Sequence, residues 1–373
     1  MRKRKMKNLG TAGYKLLTPG PLTTTETVKE VMLFDHCTWD DDYKEITQKI
    51  RRDLLKLAQV EETEYTTVLM QGSGSFGVES VLGSVVPKDG CVLLLSNGAY
   101  GERAAKMCSY YEIPCIHVKQ DYNKTPDANE AEELLKTHPE ITHIMMIHSE
   151  TTSGILNDIE SIGKLAEAYG KVFIVDAMSS FAGVEIPVKD WYIDFLISSA
   201  NKCIQGVPGF SFIIANRVLL MESKGRARSL CLDLYDQWAG MEKDGKWRYT
   251  SPTHVVLAFE QAMKEREQEG GIKARHARYQ KNMDTLVENF ENLGFRLYVD
   301  KAWQGPIIAT FLYPEGKHFD FQEMYAYIKE RGYAIYPGKL TDADTFRIGV
   351  IGEIYEEDVL RLTEIMKSYM EQA

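Results

Sequence analysis

Three stretches of this chain are unbroken apolar runs: Val92-Leu-Leu-Leu95, Ile144-Met-Met-Ile147 and Val172-Phe-Ile-Val175. A strand with one face in water alternates apolar and polar residues, whereas a strand apolar at every position needs cover on both faces. Segments of helical periodicity fall between the runs and supply that cover. Strands expected at 67–71, 92–96, 115–118 and 144–149 are each followed by a helix, beginning near 76, 101, 128 and 159. Further strands follow at 172–175 and 195–198. The pattern predicts the α/β class, a large domain whose mostly parallel central sheet lies between helices.

At 373 residues the chain is too long for one small core, so a second domain is expected. After Thr250-Ser-Pro-Thr253 a long helical stretch runs from about 255 to 293, broken at Gly270-Gly271. It leads to a small α+β unit, with strands at 295–299, 307–312, 333–336 and 345–349 and helices at 321–331 and 356–370. The expected division is a tail over 1–13, a large domain over 14–255 and a small C-terminal domain over 256–373. Near the N-terminus, helices are expected over 24–34 and 41–58, around the polar loop 35–42. The turn-rich Leu17-Thr-Pro-Gly-Pro-Leu22 has no period of either kind.

Composition removes several function classes. Apolar residues at 44% exclude a disordered chain. A net charge of −10, with its basic residues dispersed, argues against nucleic acid as a partner. The one basic cluster, Arg2-Lys-Arg-Lys5, is followed by no membrane-length apolar run, so it reads as a frayed tail and no membrane partner is expected. The six cysteines form no CxxC pair and the eight histidines no HExxH, so no metal site is expected. Unpaired thiols suit a reducing, cytoplasmic location.

Lys202 leaves the apolar run Asp194-Phe-Leu-Ile-Ser into Gln205-Gly-Val-Pro-Gly209, a turn with no bulk beside the ammonium. Partly desolvated there, its pKa falls and it becomes a nucleophile toward a carbonyl. Taken alone, the same lysine reads more readily as a solvated loop residue, as most lysines are. The first strand–helix turn, Gly72-Ser-Gly-Ser-Phe-Gly77, has the form of a dinucleotide fingerprint. The next strand, however, ends in Ser96-Asn97 with no acid to hold a ribose. What survives is a phosphate cradle of helix N-terminal N–H groups around Gly74 with the hydroxyls of Ser73 and Ser75, or else a plain tight turn. Asp176 ends another buried strand, where open α/β sheets bind ligands and where a carboxylate can keep a ring nitrogen protonated. Capping its own loop is the simpler alternative. Cradle, acid and strand-end lysine, in that order, are the parts pyridoxal 5'-phosphate requires.

The ordered set Gly72-Ser-Gly-Ser, Asn97-Gly-Ala-Tyr-Gly101, Ser149-Glu-Thr-Thr-Ser-Gly154, Val175-Asp-Ala and Asn201-Lys resembles the class V aminotransferases, of fold type I. Leu17-Thr-Pro-Gly-Pro-Leu, Cys37-Thr-Trp-Asp, the segment from Ser199 to Phe210 and Tyr249-Thr-Ser-Pro-Thr-His resemble a phosphonate-using branch of that class. The resemblance covers nearly all of the chain after residue 12. It implies that Lys202 and Asp176 are catalytic and that Tyr100 stacks on the coenzyme ring. Thr151 would stand near the coenzyme's phenolic oxygen, and Thr250 would reach the phosphate in a neighbouring subunit, hence a homodimer with shared active sites. Arg347, in Thr345-Phe-Arg-Ile-Gly349, would bind the substrate anion, with an amine and a 2-oxo acid as substrates. Ser75 replaces the threonine expected in close relatives but keeps the hydroxyl. The same coenzyme motifs serve alanine–glyoxylate and serine–pyruvate exchange, which stay open. Cysteine desulfuration is disfavoured because no cysteine follows Cys231, and a non-catalytic scaffold would lack Lys202 or Asp176.

Overall fold

The computed structural model describes residues 13–314, 319–338, 340 and 343–372; the basic cluster at 2–5 lies outside them. A seven-stranded sheet organises the chain: β1 (Tyr65–Gln71), β2 (Cys91–Ser96), β3 (Cys115–Lys119), β4 (Ile141–Ile147), β5 (Val172–Asp176), β6 (Phe195–Ser199) and β7 (Phe210–Asn216), in the spatial order β1-β7-β6-β5-β4-β2-β3. All pairings are parallel except those of β7, which runs antiparallel to β1 and β6.

The double-sided cover is visible residue by residue. Along β2, Cys91, Leu93 and Leu95 pack into one core while Val92 and Leu94 pack into the other. A leucine or valine so taken from water contributes about 1.5–3 kcal/mol, which is why β2 is apolar from Cys91 to Leu95, whereas the edge strand β3 exposes His117 and Lys119. The six parallel strands all point their C-terminal ends to one edge, and the turns leaving β1, β2, β4, β5 and β6 carry Ser73, Tyr100, Thr151, Asp176 and Lys202 respectively.

Helix α1 (Asp41–Leu57) packs on β1. Helix α2 (Gly74–Val85) opens from the turn after β1, and α3 (Ala99–Tyr110) from the turn after β2. The expected long helical stretch is two helices, α4 (Thr253–Glu269) and α5 (Gly271–Asn292), separated by Gly270 at φ +110°. They lead to a four-stranded antiparallel sheet, β8 (Arg296–Leu297), β9 (Ile308–Leu312), β10 (Tyr336–Pro337) and β11 (Thr345–Gly349), in the order β8-β9-β11-β10. A separate aromatic core including Phe290, Phe311 and Phe346 lies beneath it.

Several details differ from the sequence reading. The helix expected over 24–34 is helical only at Glu26–Glu30, before a 3-10 turn. Helices at Arg217–Glu222 and Leu234–Asp244 were not expected, and three strands are changed. Strand β7 was not expected, because it follows β6 through a turn of loop-forming residues and pairs without a crossover helix. The strand expected over 333–336 splits: Tyr333–Ala334 leaves the small sheet to pair with Lys15–Leu16, and only Tyr336–Pro337 joins β11. The stretch 295–299 forms only the two-residue β8. The pairing of Lys15–Leu16, with Leu17 in the aromatic core, makes the N-terminal segment part of the small unit's packing.

Candidate active site

The turn after β6 is tight for reasons local to it. Ala200 N donates to Phe210 O, Gly206 N to Ala200 O and Gln205 N to Lys202 O, and a Cβ on Gly206 would stand 2.7 Å from the Ala200 carbonyl. This folds Lys202 back over the sheet edge. Its Nζ enters a cavity of about 210 Å³ whose lining includes Ser73, Gly74, Ser75, Tyr100, Asp176 and Lys202. Six of the nine residues singled out from the sequence therefore share one cavity.

The remaining three are placed differently. Arg347 and Thr151 are buried, and Arg347 Nη1 donates to Thr151 O at 2.8 Å while Nε donates to Pro337 O at 3.0 Å. The arginine acts on the electrostatics of both Lys202 and Tyr100, so it belongs to the same neighbourhood. Thr250 is exposed and does not line the cavity of its own chain.

Burial sets the charges. Desolvation pushes Lys202 below the ordinary lysine value, opposed by Tyr100, Cys203 and Asp176 and assisted by Arg347. It pushes the Asp176 carboxyl up to about 6, partly offset by the Met178 N–H bonded at 2.9 Å and by Lys202 and Arg103. A 12-residue helix, α2, begins at Ser73 with no side-chain cap, so its N-terminal dipole opens toward the cavity between two serine hydroxyls.

Several functional-site neighbours escaped the sequence reading. Arg103 lies three residues after Tyr100, on the same face of α3, with its guanidinium 5.1 Å from the Tyr100 ring centroid and Nη1 donating to Ser75 Oγ at 2.9 Å. That i,i+3 spacing was a usable signal. Met178 packs so closely under Gly74 that a Cβ there would stand 2.5 Å from its sulfur, a contact with no sequence signature. Glu150, quoted above only as part of a motif, is fully buried. Desolvation raises its carboxyl to about 7, against the pull of Thr152, with the Asp176 charge adding to the rise.

A desolvated lysine, a buried acid, an uncapped helix start with two serines and an anchored arginine at one sheet edge agree with what comparison finds. The family described as Aminotransferase class-V matches residues 36–361. The chain is a class-V aminotransferase. This aminotransferase is 55% identical over 359 residues to the 2-aminoethylphosphonate–pyruvate transaminase of Lysinibacillus sphaericus, covering 96% of this chain and 98% of that one. It is 56% identical to the protein of the same description from Bacillus cytotoxicus, covering 94% and 96%. Among solved structures, the alanine–glyoxylate aminotransferase from Nostoc sp. superposes with a TM-score of 0.90 at 23% identity, covering 98% of the aminotransferase and 97% of that chain. At that identity the likeness shows the fold: that of the fold type I aminotransferases.

Proposed function

We propose that this aminotransferase uses pyridoxal 5'-phosphate to move the amino group of 2-aminoethylphosphonate to pyruvate, giving phosphonoacetaldehyde and alanine. The observation that carries the reading is 55% identity to a protein of that description, sustained over 96% of the chain. The cavity fits the coenzyme on its own evidence. The uncapped start of α2, with Ser73 and Ser75, suits the phosphate. Asp176 is a buried carboxylate of raised pKa that lines the cavity while accepting from the Met178 N–H, and it suits a protonated pyridine nitrogen. Tyr100 offers a ring at the cavity wall and Lys202 an amine of lowered pKa, and Thr151, tied by its carbonyl to Arg347, would stand near the coenzyme's phenolic oxygen. The bound coenzyme supplies an electron sink for the carbon that loses its proton.

The chain's own residues divide the rest of the work. Lys202 Nζ would take the proton from the carbon that bears the donor's amino group and pass it to the coenzyme. In the second half it would move a proton the opposite way, onto the former carbonyl carbon of the acceptor. Arg347 has Nε and one Nη1 hydrogen committed to backbone carbonyls, which fixes the guanidinium plane. Its Nη2 end is left to grip a phosphonate or carboxylate oxygen pair. One site thus serves donor and acceptor in turn, so the kinetics are ping-pong.

Two further points belong to this reading. The protein is a homodimer: Leu33, Phe34, Trp39, Phe76, Leu230 and Tyr249 are large apolar side chains exposed on one chain, and Thr250 is exposed beside the last of them. It works in the cytoplasm, in keeping with six free cysteines. No helix among the described residues is long and apolar enough to cross a membrane.

The test is the visible spectrum of the purified protein with 2-aminoethylphosphonate and no pyruvate. Bleaching of the yellow band by this amine and by alanine, and not by serine or glycine, is the expected result. Bleaching by serine or glycine alone would assign an alanine–glyoxylate or serine–pyruvate activity instead.

A further inference from the structure

Lys202 Nζ donates a hydrogen bond of 2.5 Å to the carbonyl oxygen of Pro19. Pro19 lies in the N-terminal segment, which is fastened to the small unit: Leu17 O accepts from Gly349 N, and Thr23 O accepts from Glu353 N. Gly349 ends the strand that carries Arg347, and a Cβ there would stand 2.4 Å from the Thr18 carbonyl. The acceptor for the lysine and the arginine for the substrate anion thus sit on one piece of structure, facing a lysine carried by the large sheet.

The next residue, Gly20, is at φ +128°, and a Cβ there would stand 2.9 Å from both Cδ and Nζ of Lys202. Glycine is required twice over, for the backbone and for the approach of the lysine. Thr18 Oγ1 donates to Pro21 O at 2.7 Å and staples the turn from outside the cavity.

A buried ammonium needs an acceptor, and the two on offer differ in kind. Direct pairing with the Asp176 carboxylate would hold the proton strongly and make the lysine a poor base. A neutral carbonyl satisfies the N–H while leaving the proton easier to lose. We propose that the Pro19 carbonyl is the berth of the Lys202 ammonium whenever the lysine has no covalent partner, with Gly20 and Thr18 as its positioning residues. The proposal rests on Lys202 being the coenzyme-bonding lysine. The charged and titratable groups facing Nζ are Asp176 from β5, Tyr100 from α3, the neighbouring Cys203 and Arg347 from β11.

The experiment is trace acetylation of the full-length protein with acetic anhydride across a pH series, read at Lys202 by peptide mass spectrometry. Protein loaded with pyridoxal phosphate protects Lys202, and protein loaded with pyridoxamine phosphate exposes it; equal labelling in the two would remove Lys202 from its assigned role. In the pyridoxamine phosphate form, Gly20→Ala pushes Nζ off the carbonyl. The labelling midpoint then moves down, and acetylation at pH 7 is about tenfold faster, the factor expected for one lost hydrogen bond to a charged group. A folded Gly20→Ala protein with the wild-type midpoint overturns the berth. If that variant does not fold, Thr18→Val decides, with a downward shift supporting the berth and a wild-type midpoint overturning it.

Discussion

Gly98 is a glycine because of Glu150. Its φ of 177° is extended backbone that any residue adopts, yet a Cβ there would stand 2.2 Å from Glu150 Cδ and 2.6 Å from Oε2. The carboxyl fills the space under the turn that starts α3. Glu150 Oε1 accepts from Thr152 N, and Thr152 Oγ1 accepts from Ala99 N, next to Tyr100. Gly98→Ala is therefore expected to cost about 1–3 kcal/mol, as overpacked sites do, and to weaken coenzyme retention. Glu150→Ala opens the same space, so the double variant is expected to recover part of the loss in urea denaturation. Strict additivity would show that the two residues do not act on each other.

Glu150 also makes stability depend on pH. Its carboxyl rises from an ordinary 4.5 to about 7 in the fold, so between those values the native state binds a proton that the unfolded chain releases. This contribution is present below pH 4.5 and is lost as pH rises toward 7, by a few kcal/mol at most. Buried His143 and His148, lowered to about 4 and about 3, act in the opposite sense from pH 6.5 down. Comparing wild type with Glu150→Gln in denaturant melts isolates the carboxyl. The stability difference between the two proteins is expected to change between pH 4.5 and 7 and to be flat above.

Arg347→Lys keeps the charge and loses the fork that Pro337 O and Thr151 O hold in plane. The KM values for 2-aminoethylphosphonate and for pyruvate are expected to rise together by one to two orders of magnitude, since a planar bidentate contact becomes a single point charge. A rise confined to one substrate would mean that the two anions bind at different places.

Arg103→Gln removes a cation that is exposed and bonded to Ser75 at the rim of the cradle. Coenzyme affinity is expected to fall by roughly two- to fivefold, the size of a solvated charge interaction. The gap between wild type and variant should narrow as sodium chloride is raised. Titration of coenzyme-free protein by fluorescence quenching measures both.

Thr250 gives a test of the shared site. Lys202→Ala and Thr250→Val chains, each impaired as homodimers, are mixed after mild unfolding. If each site takes Lys202 from one chain and Thr250 from the other, mixed dimers place both defects in one site and leave the second intact. Activity should then recover toward half of wild type in those dimers. No recovery would confine each site to one chain.

Much of the large unit was legible because its signals are local. An apolar run covered on both faces looks the same in sequence wherever its partners come from, and the strand ends carrying Asp176 and Lys202 follow from it. The site's finer parts depend on approach across the fold. Nothing near Gly20 in sequence announces Lys202 above it, and Gly98 gives no hint of Glu150 below. Strand β7 and the split at Ile335 were missed for the same reason: both are decided by which distant segment arrives to pair. Arg103 is the exception, since its spacing from Tyr100 was available from the start.

Lys15 bonds Asp358 at 2.6 Å across 343 residues of chain, and Lys15–Leu16 pairs with Tyr333–Ala334. Residues 15–16 thus find these partners only after the segment through Asp358 has been made, and the cover over Lys202 cannot settle before then. A nascent chain lacking its final strands exposes its reactive amine without closing a site around it. The contact that anchors the cover over the lysine is thus among the most non-local in the fold.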